Sequence, residues 1–189
     1  ERLIEQLLRR KPEAIVLTGG QHTRRTQQML TASPIPVVEM WDLPEAPIQH
    51  VVGFSNALSV RGLADHFVKT GYSKIGFLGG ESAKDPRGVQ RRAGFVDALT
   101  DHGLDTTRLI PTGVAPVGMA EGVAALDLLL ERFPDTQAVI CVSDLIAFGV
   151  LSQCQRRGLR IPHDLAVAGF GNYEIGQVCV PSLTTIDVH

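Results

Sequence analysis

The residues best suited to chemistry in this sequence are polar side chains that follow short apolar runs. Hydroxyl, amide, imidazole and carboxylate groups follow four such runs, and these groups form hydrogen bonds with polar small molecules. If the runs are parallel strands of an open sheet, their carboxyl ends lie at one edge, where ligands bind. The pattern therefore predicts a binding site, with the candidate residues Thr18, His22, Asn56, Ser143, Asp144 and Asn172.

A structural role is the alternative for some of these side chains. Serine and aspartate are common at the first position of a helix, where the side chain accepts a hydrogen bond from a backbone N–H. Ser143 or Asp144 could cap a helix that begins near Leu145, and Asn56 has the same two interpretations. The coincidence of four strand ends is stronger evidence for a site than any single residue.

Patterns for catalysis, nucleotide binding and metal binding are incomplete. Residues 169–174 carry glutamate where a dinucleotide-binding loop needs its third glycine. Residues 53–57 resemble the nucleophile turn around a serine, Ser55, but lack its last glycine. The six histidines show no metal-ligand spacing. We therefore expect no catalysis, no cofactor and no metal.

The elements that would position the candidate residues alternate between buried strands and helices. Apolar runs of this kind are typical of parallel strands covered on both faces. Amphipathic stripes lie between the runs, and Gly71, Gly103 and Gly158 follow helical stretches, as helix-ending glycines do. The order predicts an α/β fold with an open parallel sheet. The predicted strands cover residues 14–18, 37–40, 51–54, 74–78, 138–142 and 165–168.

Charge and cysteine content indicate which partners the chain can bind and in which compartment it functions. The chain has 18 Lys and Arg against 20 Asp and Glu, and no dense basic run, so we do not expect it to bind nucleic acid by itself. No apolar run reaches the roughly 18 residues that a membrane span needs. Three scattered cysteines in apolar surroundings are typical of reduced core thiols in a cytoplasmic protein. The chain begins on a helix and ends on a strand-like segment, which suggests a fragment.

Six segments resemble the LacI/GalR type of bacterial transcription regulator, and their order and spacing match across essentially the whole chain. Shorter stretches at residues 39–43 (EMWDL) and 52–56 (VGFSN) resemble the branch of gluconate-utilisation repressors. The six segments are 71–80 (GYSKIGFLGG), 91–95 (RRAGF), 143–149 (SDLIAFG), 158–165 (GLRIPHDL), 169–171 (GFG) and 181–186 (PSLTTI).

The resemblance implies two Rossmann-like parallel-sheet subdomains, like those of periplasmic sugar-binding proteins, with a small effector bound between them. The first β-α-β and the C-terminal segment of the family are missing here. The expected parts are an N-terminal subdomain at residues 1–73, a C-terminal subdomain at 74–180 and a crossover back at 181–189. Implied partners are a small-molecule effector and operator DNA, the latter through an N-terminal helix-turn-helix outside this chain. A homodimer is implied, and no membrane.

The resemblance also assigns residues. The family's ligand-gripping arginine corresponds to Arg91, its Asn-Asp pair reads Ser143-Asp144, and the aspartate of its Gly-Phe-Asp motif is replaced by Gly171. Loss of that carboxylate fits an anionic ligand, because two carboxylates in one site repel each other. The hypothesis is a sugar acid such as gluconate, with its carboxylate on Arg91. Its hydroxyls would be bound by Thr18, His22, Asn56, Ser143 and Asn172.

Three further interpretations stay open. Trp41 could stack on the ligand, or could pack at a dimer contact beside Pro36 and Pro44. A periplasmic solute-binding protein of a transporter has the same architecture, and export of the full-length product would favour it. A small α/β hydrolase using Ser55 is a third function, although no base or oxyanion pattern accompanies that serine.

Overall fold

A computed structural model describes residues 1–114 and 116–188 of the chain. The chain forms two compact units, Glu1–Ser55 and Asn56–His189. The second unit begins at Asn56 because the helix that starts there packs along a later helix of that unit. The subdomain bounds expected from the sequence, 1–73, 74–180 and 181–189, stay predictions.

The first unit is a three-stranded parallel sheet with two helices. Its strands have the order β1-β2-β3, and Ile15 of β1 pairs with Val37 of β2. Ile15, Leu30 and Val37 form the buried core, since alternate strand residues point to the helix-covered face. The elements are α1 (Arg2–Arg9), β1 (Ile15–Thr18), α2 (Arg24–Thr31), β2 (Val37–Met40) and β3 (His50–Val52).

The second unit is a five-stranded parallel sheet, with the order β5-β4-β6-β7-β8 and five helices. Every residue of β4, β6 and β7 is buried, as expected for parallel strands that helices cover. The elements are α3 (Asn56–Lys69), β4 (Ile75–Leu78), α4 (Pro86–Asp101), β5 (Leu109–Ile110), α5 (Met119–Arg132), β6 (Ala138–Cys141), α6 (Asp144–Arg157), β7 (Ala166–Phe170), α7 (Glu174–Val178) and β8 (Thr184–Ile186).

Glycines allow the helices of the second unit to pack at short range. A Cβ atom on Gly94 of α4 would lie 2.0 Å from the carbonyl oxygen of Ala57. The missing side chain at Gly94 therefore allows α4 to approach the backbone of α3 closely. A Cβ atom on Gly149 of α6 would lie 2.0 Å from the carbonyl oxygen of Met119, where α5 begins. The contact at Gly94 places the first turn of α3 beside α4.

The α/β fold with two parallel sheets is confirmed. All six strands expected from the sequence are present, and the segment read as strand-like at the end is β8, the edge strand beside β7. Residues 184–186 of the expected crossover therefore belong to the sheet of the second unit. In the described part of the chain, no helix has the length and apolar character needed to cross a membrane.

Candidate functional site

The guanidinium of Arg91 is held at the carboxyl end of the second sheet. Its Nε donates a hydrogen bond to Oδ1 of Asn56 at 2.8 Å, and its Nη1 donates to the carbonyl oxygen of Val142 at 2.8 Å. The guanidinium carbon lies 3.6 Å from the centre of the Phe170 ring, a cation–π contact. The start of α3, the exit of β6 and the end of β7 therefore fix one planar group from three directions.

Asn56 contributes to this site by orienting Arg91. The residue opens α3 and is completely buried, with its amide oxygen on the guanidinium. Asn56 is expected from the sequence to contact a ligand, and that contact stays a prediction. Its role in the structure is to position the arginine side chain.

Ser143 and Asp144 follow β6 and have different structural roles. The hydroxyl of Ser143 accepts a hydrogen bond from the N–H of Ile146 at 3.4 Å, so Ser143 is the cap of α6. Asp144 is completely buried; its Oδ1 accepts from the Thr185 hydroxyl at 2.6 Å and its Oδ2 from the Tyr173 N–H at 2.7 Å. Asp144 thus links the exits of β6 and β7 to the middle of β8. Its contact with a ligand, expected from the sequence, stays a prediction.

Asn172 lies just beyond β7 in a left-handed backbone conformation, with φ at 52°. Asparagine tolerates this region better than most residues. Its side-chain amide donates to Oδ2 of Asp187 at 2.8 Å and its oxygen accepts from Gln177 at 3.2 Å. The half-buried side chain is therefore oriented by neighbours of the same unit.

The preceding residue, Gly171, has no room for a side chain. Its φ is 125°, and an added Cβ would lie 2.6 Å from Cε1 of the Tyr173 ring. The position at which the family carries a carboxylate is thus closed by the neighbouring tyrosine.

Thr18 and His22 lie at the corresponding end of the first unit. Thr18 is exposed at the end of β1. Nε2 of His22 lies 2.9 Å from Oε1 of Glu39, a carboxylate that is almost completely buried and also accepts from the N–H of Ile48 at 2.7 Å. The sequence analysis missed Glu39, although an acid inside an apolar strand was a usable signal.

Trp41 follows β2 with a φ of 79°, a strained value for a bulky residue. Its indole ring meets the Phe54 ring edge to face, with 6.1 Å between centres, and the residue keeps 41% of its surface exposed. The tryptophan therefore packs on a neighbour and still offers an aromatic surface. Both roles considered for it stay predictions.

Two of the three cysteines, Cys141 and Cys154, are buried thiols of the core, and Cys179 is half-buried. Burial raises the pKa of Cys141 well above its usual value, and burial raises that of Cys154 to about 11. Neither thiol is therefore ionised near neutral pH, which excludes a reactive nucleophile at these two positions. Among the described residues, no group of three or more metal-binding side chains comes together.

Comparisons with known proteins show the family of the chain. Residues 64–189 match the model of the periplasmic binding protein-like domain. A solved LacI family transcriptional regulator from Silicibacter pomeroyi is 40% identical, with a TM-score of 0.95, covering 100% of this chain and 70% of that one. The chain belongs to the LacI family. The LacI regulator GntR from Chromobacterium violaceum is 30% identical with a TM-score of 0.89, covering 99% of this chain and 68% of that one.

Curated members of the LacI family agree. The regulator GntR of Escherichia coli K12 is 32% identical over 97% of this chain, and the regulator IdnR of the same organism is 33% identical over 98%. The chain spans about half the length of these relatives, 54% and 55%. They are named as transcriptional regulators and not as enzymes, in line with the expectation that nothing is catalysed.

Proposed function

We propose that this chain is the effector-binding core of a LacI-type regulator that senses a small sugar acid, gluconate or a close aldonate. The effector would control operator binding through a helix-turn-helix outside this chain, in a cytoplasmic homodimer. The family membership supports a regulator, and the resemblance of residues 39–43 and 52–56 to gluconate-utilisation repressors supports the acid. Control requires that the effector bind one conformation of the regulator more tightly than another.

The observation that carries the proposal is the way Arg91 is held. Asn56, Val142 and Phe170 fix the plane of its guanidinium. A planar fork of donors recognises a carboxylate with two parallel hydrogen bonds, and a donor that is already oriented loses little entropy on binding. An oriented guanidinium at the carboxyl ends of parallel strands is therefore well suited to an organic acid.

The surroundings of Arg91 support the same ligand. Gly171 contributes no carboxylate, and the Tyr173 ring occupies the space where a side chain would be. Both oxygens of Asp144 accept protein hydrogen bonds in a buried position, so that negative charge faces the protein. At these two positions a monoanion consequently meets less repulsion than it would from an exposed aspartate.

Hydroxyl contacts would come from polar residues of both units. Ser143 and Asn172 supply a hydroxyl and an amide in the second unit, and Thr18 and His22 supply a hydroxyl and an imidazole in the first. These groups donate and accept, as the hydroxyls of a sugar acid do.

Calorimetric titration with gluconate and with glucose tests this function. Gluconate should bind and glucose should bind far more weakly, because only gluconate carries the charge. Arg91→Ala should cost at least about 2 kcal/mol of gluconate binding, as expected for loss of a charged hydrogen bond. The matched control is Arg132→Ala, which removes an exposed arginine of α5 and should leave the affinity unchanged. Glucose binding as tightly as gluconate, or an unaffected Arg91→Ala, would contradict the proposal.

A further inference from the structure

Glu81 lies beside the proposed effector site in a position that no motif indicated. It follows β4 after Gly79 and Gly80, at the carboxyl end of the second sheet. Its Oε1 accepts hydrogen bonds from the N–H of Thr112 at 2.9 Å and of Gly113 at 2.6 Å. One oxygen of the carboxylate therefore anchors the exit of β5.

The second oxygen, Oε2, is buried and has no hydrogen-bond partner within residues 1–114 and 116–188. A buried polar atom without a partner costs free energy, and such atoms are rare in folded proteins. Among the described residues, the only other buried side-chain nitrogen or oxygen without a hydrogen-bond partner is Nε of Arg108. That nitrogen lies 3.4 Å from Oδ2 of Asp105, within an ion pair. Glu81 Oε2 is thus a buried acceptor to which the described protein supplies no donor.

This acceptor and the arginine of the site belong to the exits of two adjacent strands, β4 and β6. A Cβ atom on Gly79 would lie 2.6 Å from Cγ1 of Val142 and 3.0 Å from Oγ1 of Thr112, so these two residues flank Gly79. The carbonyl of Val142 holds Arg91, and the N–H of Thr112 holds Glu81. A fixed cation and a fixed carboxylate therefore sit at the exits of neighbouring strands.

We propose that Glu81 contacts the effector, its Oε2 accepting a hydrogen bond from an effector hydroxyl, and that it selects acids with one carboxylate over acids with two. The inference rests on the proposed function. With the ligand carboxylate on Arg91, the hydroxylated remainder of the molecule can donate to Glu81. A second carboxylate at that end would face the negative charge of Glu81 and be repelled. Glu81 would thereby distinguish an aldonate from the corresponding aldarate.

Glu81→Gln separates this role from the structural one. Glutamine keeps a side-chain oxygen for the N–H groups of Thr112 and Gly113 and replaces the second oxygen with a neutral donor. The probes are gluconate, with one carboxylate, and glucarate, with two, titrated by calorimetry into the 189-residue chain. Wild type should prefer gluconate. Glu81→Gln should bind gluconate about tenfold more weakly and reduce the gluconate-to-glucarate preference by about tenfold or more.

Control measurements distinguish a failure of the proposed role of Glu81 from a failure of the proposed function. Glu131→Gln makes the same substitution at an exposed position of α5 and should change neither affinity. An unchanged preference in folded Glu81→Gln overturns the role of Glu81 while the proposed function stands. If wild type binds neither acid, the proposed function falls and the role of Glu81 with it.

A second variant covers a folding failure of Glu81→Gln, judged by circular dichroism. Glu81→Asp keeps the charge but withdraws the oxygens by one methylene. It should weaken gluconate binding and keep glucarate the poorer ligand. Wild-type affinity for gluconate in Glu81→Asp would overturn the proposal.

Discussion

Two arginines of the second unit stack on phenylalanine rings at opposite ends of the same sheet, and they are held differently. Arg91, at the carboxyl end, donates to the amide oxygen of Asn56 and the carbonyl oxygen of Val142. Both acceptors are neutral, so these two contacts orient the guanidinium without opposing its charge. The arrangement suits a group that is to meet a ligand.

Arg108, at the amino end, is held by carboxylates. Its Nη1 donates to Asp135 at 2.8 Å, Asp105 lies within 3.4 Å of its Nε, and its guanidinium stands 5.1 Å from the centre of the Phe133 ring. Only 8% of the residue is exposed. Carboxylates compensate the charge that burial would otherwise penalise, so this arginine serves the stability of the fold. From this difference we expect that the chemistry of the acceptors, more than burial, separates a structural arginine from one that binds a ligand, the role proposed for Arg91.

Removing Arg108 should have the largest effect on stability. Arg108→Ala leaves Asp105, Asp135 and Thr136 without their shared donor and opens space against Phe133. We expect a loss of about 2 kcal/mol in the free energy of unfolding, measured by urea denaturation, because a largely buried partner of an ion pair is lost. Gluconate affinity should stay within about twofold of wild type. A loss of affinity as large as that of Arg91→Ala would erase the distinction between the two ends.

Asp144→Asn asks whether the end that holds Arg91 also carries stability. With its NH2 group toward Tyr173, the asparagine would face the backbone N–H donor to donor; with its NH2 group toward Thr185, the hydroxyl would lose the acceptor for its proton. A loss of about 1 to 2 kcal/mol of unfolding free energy should follow, since a buried donor loses its acceptor. Asp97→Asn, at an exposed position of α4, is the control. Equal stability of the two variants would show that Asp144 does not tie the strand exits.

Acid should lower the free energy of unfolding through Asp135, at the amino end of the sheet. This is the smallest of the expected effects on stability. Hydrogen bonds from Lys74 and then Arg108 lower the pKa of Asp135 from 3.8 to about 2. Because the folded-state pKa is depressed, the stabilisation is complete above 3.8 and is lost as the pH falls toward 2. Urea denaturation between pH 6 and pH 2 should show this loss, with a shallower slope in Lys74→Ala.

A second group titrates in the same window. Hydrogen bonds from Arg160 lower the pKa of Asp164 to about 2. Arg160→Ala should therefore also flatten the acid slope, and it should lower stability at neutral pH by the same amount, which is small because exposed ion pairs contribute little. Identical slopes in wild type and both variants would rule out these pairs as the source of acid sensitivity.

The fold was largely predictable from the sequence because buried parallel strands leave continuous apolar runs. The exceptions have local causes. β5 is two residues long, Leu109–Ile110, too short for any pattern. α2 is mostly polar and is signalled mainly by its cap, Thr23, whose hydroxyl accepts from the N–H of Thr26.

For the candidate site, the sequence predicted positions but not the protein partners of the side chains. The strand ends did mark Asn56 and Asp144, yet each is buried against a partner far along the chain. Asn56 meets Arg91, 35 residues away, and Asp144 meets Thr185, 41 residues away. Such pairings depend on tertiary packing, which spacing does not reveal. Glu81 was not predicted for the same reason. Only the structure shows that its Oε2 is buried and has no hydrogen-bond partner among the described residues.

Gly171 has a consequence for how ligand preference could change. Replacing it with aspartate would meet both a backbone angle that side chains rarely adopt and the ring of Tyr173. An aspartate at this position would therefore require a different turn and a smaller residue at position 173 as well. Under the proposed function, a change of preference to neutral sugars would need at least two coordinated substitutions.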